Sequence, residues 1–115
     1  MKYVLLIYSD EELRADLSPE QLGQVLDQYN GYSKWLEEQA LFRAGDALDL
    51  TDRATSVQVR DGRTVTTDGP FAETKEQLGG YYVIEAENLD RAIEAATRCP
   101  GAQTGTIEIR PLIEM

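Results

Sequence analysis

The sequence predicts an α+β fold of the ferredoxin-like, split βαβ kind, with an antiparallel sheet, two helices on one of its faces and an added hairpin. Three observations predict it. Apolar runs of strand length alternate with two segments of helical spacing, in the order strand, long helix, strand group, strand, helix, strand. The first run is apolar on both of its faces. An Asp61-Gly62 pair divides a strand-like segment in two, as a hairpin turn does.

Tyr3 to Tyr8 (YVLLIY) opens the chain as a strand. Tyr3, Leu5 and Ile7 alternate with Val4, Leu6 and Tyr8, so both faces need cover. Ser18-Pro19-Glu20-Gln21 announces the first helix, with Ser18 as cap, Pro19 at the first helical position and Gln21 completing a capping box. Leu22, Val25, Leu26, Tyr29, Tyr32, Leu36 and Ala40 form its apolar stripe, with Trp35 at the border.

Phe42 to Leu50 is a mixed stretch containing Gly45-Asp46, compatible with a strand that carries an irregularity. Thr55–Arg60 and Arg63–Thr67 are the two arms of the hairpin. Gly80–Ala86 restores a strand, and Asn88 caps a second helix with Leu89, Ala92, Ile93 and Ala96 on its apolar side. Pro100-Gly101 ends that helix, and Thr106–Pro111 (TIEIRP) alternates Ile107 and Ile109 against Glu108 and Arg110.

Two helices cover one face of such a sheet. The apolar second face of the first strand then calls for another layer, and the same face of a second copy supplies it at least cost. A homodimer with sheets face to face, barrel-like as a whole, is the expectation. No internal repeat or linker divides residues 1–115, so they read as one domain.

Composition narrows the function. The chain of 115 residues is 42% hydrophobic and 28% charged, which is globular. A net charge of −10 opposes phosphate backbones, so direct nucleic-acid binding is not expected. No apolar run is long enough to cross a bilayer, and the N-terminus reads as a strand rather than a signal peptide; a cytoplasmic location is the default expectation. There is no histidine, which excludes His-based triads and His-ligated metals within one chain. The single cysteine, Cys99, reads as a buried structural thiol. Asp10, Glu11 and Glu12 are consecutive, without calcium-loop spacing, and no metal or other cofactor is expected.

The segment TDGPFAETKEQLGGYY, Thr67–Tyr82, holds the candidate chemistry. Asp68 stands at a strand end before Gly69-Pro70. The proline biases Gly69 toward extended backbone, so the turn holds a carboxylate with little freedom, either as an acid or base or simply bonded to its own backbone. Glu73 and Lys75 share a face on a strand but not on a helix, and the run AETKEQ is also compatible with a solvated helical turn. Lys75 reads as an anchor for a small anionic organic ligand, with Asp68 or Glu73 moving a proton and Glu76 and Asp46 as neighbours. Tyr8 and Tyr82 are candidates to wall one pocket, and core packing is the competing use of both phenols. Arg110, opposite in facing to Ile107 and Ile109, is either a substrate clamp or an ion-pair partner of Glu108 or Asp68.

MKYVLLIYSD, DGPFAETKEQLGGYYVIE and IEIRP together resemble the YCII-related family, in its DGPF-motif branch, over nearly the whole chain. The resemblance implies a bacterial, dimeric ferredoxin-like protein. It also implies a His-Asp catalytic pair, activity in chlorinated-aromatic breakdown among some members, and association of the DGPF branch with alternative sigma factors. Without histidine the pair cannot form, and Asp68 is the residue carried over as a functional carboxylate. Two functions follow as expectations: a small-molecule enzyme of lyase, isomerase or dehalogenase type using carboxylate acid–base chemistry, or a non-catalytic ligand-binding or regulatory protein acting through a partner such as a sigma factor.

Overall fold

A computed structural model describes residues 1–115. In chain order the elements are β1 (Lys2–Ser9), α1 (Glu11–Ala15), α2 (Pro19–Glu38), β2 (Phe42–Ala47), β3 (Thr55–Arg60), β4 (Arg63–Asp68), β5 (Gln77–Glu85), α3 (Leu89–Arg98) and β6 (Thr106–Pro111). Single 3₁₀ turns lie at Thr51–Arg53 and Pro100–Ala102. The main sheet has the order β2-β5-β1-β6, with all three pairings antiparallel, and β3–β4 form a separate two-stranded hairpin. With the hairpin set aside, this is the split βαβ order that the alternation of elements predicts.

Local chemistry accounts for the boundaries. The Ser18 hydroxyl accepts from the Gln21 N–H while the Gln21 side chain accepts from the Ser18 N–H, so the capping box starts α2 where expected. Asn88 accepts from the Arg91 N–H at the start of α3. Asp61 and Gly62, at φ 52° and 74°, make the tight turn with two left-handed residues.

The core lies between one sheet face and the two long helices. Tyr3, Leu5 and Ile7 of β1 meet Tyr82 and Ile84 of β5, beneath Tyr32 and Leu36 of α2. From α3 the buried stripe is Ala92, Ala95, Ala96 and then Cys99, spaced i, i+3, i+4, i+7. Leu89 and Ile93, expected inside, are 51% and 46% exposed. The inward face of α3 is therefore made of its smallest side chains, which lets the helix lie close to the sheet. Leu22 and Leu26 on the first half of α2 are also left exposed.

Three local expectations change. The run AETKEQ forms no helical turn; β5 begins at Gln77, three residues before the expected strand start, because Gln77 and Leu78 pair with Ser9 and Tyr8. Gly79 is accommodated there by a register shift between Ile7 and Tyr8. Gly69 is not extended but sits at φ 104°, a region open to glycine, and its N–H donates to the Ala54 carbonyl at 2.7 Å. The irregularity of β2 falls at Arg43, where the register shifts between Phe42 and Ala44, whereas Gly45 pairs in register with Tyr82, whose ring would lie 2.7 Å from a Cβ at that position.

The chain is a slab of 47 × 43 × 19 Å. Nineteen ångströms is the depth of one sheet and one helix layer, since packed layers stand about 10 Å apart. The radius of gyration, 16.0 Å, exceeds the ~13 Å usual for a compact chain of this length. The second sheet face therefore stays uncovered within the chain. Its cross-strand rows are Ala44, Val83, Val4, Arg110; then Asp46, Tyr81, Leu6, Glu108; then Leu78, Tyr8, Thr106. Along these rows the two central strands present apolar and aromatic side chains and the edge strands carry the charges, while Lys2 and Glu85, paired across β1 and β5, add a charged row at one end of the same face.

Candidate functional site

A cleft of about 820 Å³ opens at the end of the uncovered face, where β1 gives way to α1 and where β6 begins. Tyr8 and Thr106, neighbours across β1–β6, form its floor. The loop before β5 supplies Thr74, Lys75 and Glu76, and Asp10, Leu13, Thr104 and Glu108 complete the lining. The loop is held in place by its own polar groups. The Gln77 side-chain amide donates to the Thr74 carbonyl at 2.8 Å, and the Thr74 hydroxyl donates to the Glu76 carbonyl. The Thr106 hydroxyl donates to Glu76 Oε1 at 2.9 Å, which ties the loop carboxylate to β6 and leaves Oε2 free to act. Glu76 is half-buried, whereas Lys75 is exposed and makes no ion pair.

The structure brings some of the expected residues together and separates others. Tyr8 and Lys75 line the cleft. Arg110 stands one row away and is engaged by Glu108, an ion pair with both members well exposed. Of the two partners considered for Arg110, the structure uses Glu108.

Asp68 and Glu73 lie outside the lining and are exposed. Asp68 is the last residue of β4, so it travels with the hairpin rather than with the loop at the cleft. Tyr82 is on the opposite side of the sheet from Tyr8. The shift at Gly79 does not alter the alternation of β5 in its central part, where Tyr82 pairs with Leu5 and faces the helices. Its phenol bonds the Ser33 hydroxyl at 2.8 Å, and its ring meets Tyr32 edge-on at 5.2 Å. Tyr8 and Tyr82 therefore cannot wall one pocket within a chain.

Glu76 was legible from sequence as a neighbour, but its bond to Thr106 joins residues 30 apart and carries no local signal. Asp10 is drawn to the cleft because its side chain accepts from the Glu12 N–H as the cap of α1. The lining thus holds one lysine against the carboxylates of Asp10, Glu76 and Glu108.

The groups with perturbed acidity lie elsewhere. Burial raises the pKa of Tyr29, Tyr32, Tyr82 and Cys99, all on the helix side of the sheet. For Cys99 the bonds to the Gly101 backbone and Tyr29 oppose the rise, and the thiol is sealed in the core. Tyr81, on the uncovered face, is raised by its hydrogen bond to Asp46 at 2.9 Å. No helix is long and apolar enough to cross a membrane.

Comparison with known proteins places the chain among relatives. A family profile described as the YCII-related domain matches residues 1–115. The curated protein named Uncharacterized protein R00369, from Rhizobium meliloti (strain 1021), is 35% identical over 114 residues, which span 97% of this chain and 92% of that protein. Among solved structures, 5-chloro-2-hydroxyhydroquinone dehydrochlorinase (TftG) from Burkholderia phenoliruptrix AC1100, in complex with 2,5-dihydroxybenzoquinone, aligns with a TM-score of 0.51. The alignment covers 100% of this chain and 96% of that one at 14% identity, a likeness of fold.

Proposed function

The chain belongs to the YCII-related domain family, and from that premise we propose that it is a small-molecule enzyme whose acid–base group is Glu76. The observation that carries the reading is the bond from Thr106 to Glu76 Oε1, beside the unpaired Lys75, at the mouth of a cleft large enough for a single-ring organic molecule. The likeness in fold to a dehydrochlorinase supports a substrate of the hydroxylated-ring class.

In this scheme Lys75 holds a phenolate or carboxylate of the substrate, and Tyr8 and Thr106 form the surface on which the ring rests. Glu76 Oε2 takes a proton from carbon or hydroxyl. The electron pair so released either expels a leaving group, as in a lyase or dehalogenase, or is reprotonated at another position, as in an isomerase. A carboxylate does such work near neutral pH when water is kept from it. In one chain the cleft is open. A homodimer with the uncovered sheet faces together supplies the cover, and the apolar centre and charged edges of that face have the anatomy of an interface.

The openness of the cleft and the half-burial of Glu76 favour a second reading, a ligand-binding or regulatory protein without turnover. Glu76→Gln separates the two. Binding of 2,5-dihydroxybenzoquinone as a probe is followed by calorimetry, and turnover of chlorinated and hydroxylated aromatics by mass spectrometry. The enzyme reading expects retained binding and a loss of turnover of about 10²-fold or more. Turnover that survives Glu76→Gln defeats it, and probe binding without turnover in the native protein supports the second reading. Probe affinity indifferent to both Lys75→Ala and Tyr8→Ala removes the cleft from either account.

A further inference from the structure

Helix α1 stands in the wall of the cleft without packing of its own. None of its five residues, Glu11–Ala15, is buried, and an isolated helix so short is unstable in water. What fixes it to the rest of the chain is a set of polar bonds to the segment between β2 and β3. Glu11 spends both carboxylate oxygens on one residue: Oε1 accepts from the Thr51 N–H at 2.8 Å and Oε2 from the Thr51 hydroxyl at 2.7 Å. The Arg14 guanidinium donates to the Leu48 carbonyl at 2.9 Å. The Leu48 N–H in turn donates to the Gly79 carbonyl of β5 at 2.9 Å. The segment therefore braces α1 against the strand whose preceding loop carries Lys75 and Glu76 to the cleft.

The braced helix presents Leu13 to the cleft. Leu13 is 56% exposed, and Tyr8 is the other hydrophobic residue of the lining. A lone exposed leucine is ordinary on a protein surface. This one sits on a helix that no core packing places, held by long-range hydrogen bonds from the residues on either side of it, Glu11 and Arg14. Every other lining side chain carries a hydroxyl or a charge. With the ring of a bound molecule resting on Tyr8, Leu13 is the apolar surface left for a substituent on that ring, and covering it removes apolar area from water.

We propose that Leu13 is the specificity-determining residue of the cleft, selecting a ring that bears an apolar substituent such as chlorine over the same ring without it, and that Glu11 and Thr51 are positioning residues that hold Leu13 there through α1. The inference rests on the small-molecule reading of the cleft and names which members of that substrate class it prefers. Thr51 does not line the cleft and acts on it only through Glu11. The role of Glu11 is geometric. Both oxygens serve as acceptors toward Thr51, and a glutamine keeps the two bonds, since its carbonyl accepts from the Thr51 N–H and its amide donates to the Thr51 hydroxyl.

Calorimetric titration of the full chain with 2,5-dihydroxybenzoquinone and with its 3,6-dichloro derivative tests this, with Tm recorded for every variant. The native chain should bind the dichloro probe about fivefold more tightly or better, an open cleft discriminating less than a closed pocket. Leu13→Ala should bring the two affinities within about twofold of each other, and Leu13→Met, of similar volume, should keep the preference. Glu11→Ala should erase the preference as Leu13→Ala does, Glu11→Gln should retain it, and Thr51→Val, which keeps the N–H and loses the hydroxyl, should fall between. A preference that survives Leu13→Ala overturns the selecting role. A preference lost as fully in Glu11→Gln as in Glu11→Ala, or a lowered Tm in Glu11→Ala with the native preference intact, overturns the positioning role. A native chain that binds both probes alike, with both weakened by Lys75→Ala, overturns the inference and leaves the cleft standing; a native chain that binds neither overturns both.

Discussion

Tyr82→Phe tests where the fold has placed a residue that the sequence suggests for the site. The substitution removes one oxygen and keeps the ring, so the contacts with Tyr32 at 5.2 Å and Phe42 at 6.2 Å survive. What is lost is the 2.8 Å bond between the Tyr82 and Ser33 hydroxyls. Such a bond contributes about 0.5–1.5 kcal/mol net, and stranding its partner costs more where water cannot reach. Tyr82 is 8% exposed but Ser33 is half-buried, and the serine hydroxyl has solvent or its own helix to turn to. The expected loss is about 1 kcal/mol, or ~4 °C in Tm for a chain of this size. Urea unfolding should show a lower midpoint with an unchanged slope, since the same surface is exposed on unfolding. Adding Ser33→Ala should cost little more, because the two changes remove one interaction. Binding of 2,5-dihydroxybenzoquinone should be unaffected. Weakened probe binding at unchanged stability is the result that would refute the reasoning, since it would put the phenol in the site and not beneath the helices.

Two further outcomes follow from other parts of the molecule. A Cβ at Gly105 would run into the Tyr8 carbonyl oxygen and lie 3.3 Å from the Gly101 carbonyl oxygen. Gly105→Ala should therefore destabilise by about 1–3 kcal/mol through backbone displacement, and should weaken probe binding as well, because Tyr8 and Thr106 form the cleft floor; an alanine variant with native Tm and native affinity would contradict this packing. Burial raises the pKa of Tyr29, Tyr32 and Tyr82 above 10.0 and of Cys99 above 9.0. The folded state then holds these protons longer than the unfolded chain, so their stabilisation is complete below the unfolded values and is lost as pH rises through the window above them. Stability should fall from about pH 9 upward, each group adding up to ~1.4 kcal/mol per pH unit, and phenol absorbance at 295 nm should rise with unfolding instead of before it. Early, stepwise ionisation of these phenols in the folded protein would show that they are not sealed by the helices.

Much of the fold was legible because it is written in local chemistry. The capping box at Ser18 and Gln21, the Asn88 cap and the Asp61-Gly62 turn each act within four residues, and each appears where the sequence puts it. Alternation in β1 also survives intact, with Tyr3, Leu5 and Ile7 inward. Where the reading slipped, competing long-range contacts won. The stretch AETKEQ has some helical character, yet Gln77 finds Ser9 across the sheet and the loop is held by Thr74, Gln77 and Thr106. On α3 the hydrophobic rank of Leu89 and Ile93 counts for less than the close approach that Ala92, Ala95 and Ala96 permit.

The candidate site divides along the same line. Sequence alone determined the chemical inventory: a chain without histidine, with carboxylates, one lysine and tyrosines grouped around DGPFAETKEQLGGYY, in an order of strands and helices that makes a one-sided sheet. Only the tertiary structure decided which carboxylates stand at the cleft. Asp68 is carried out by the hairpin, Tyr82 is turned beneath the helices by strand alternation, and Glu76 is brought to Thr106 from 30 residues away. Spacing along the chain governs which side chains share an element and a face. Which faces meet is settled by the antiparallel pairing of β1 with β5 and β6, and that pairing exists only once the sheet has formed.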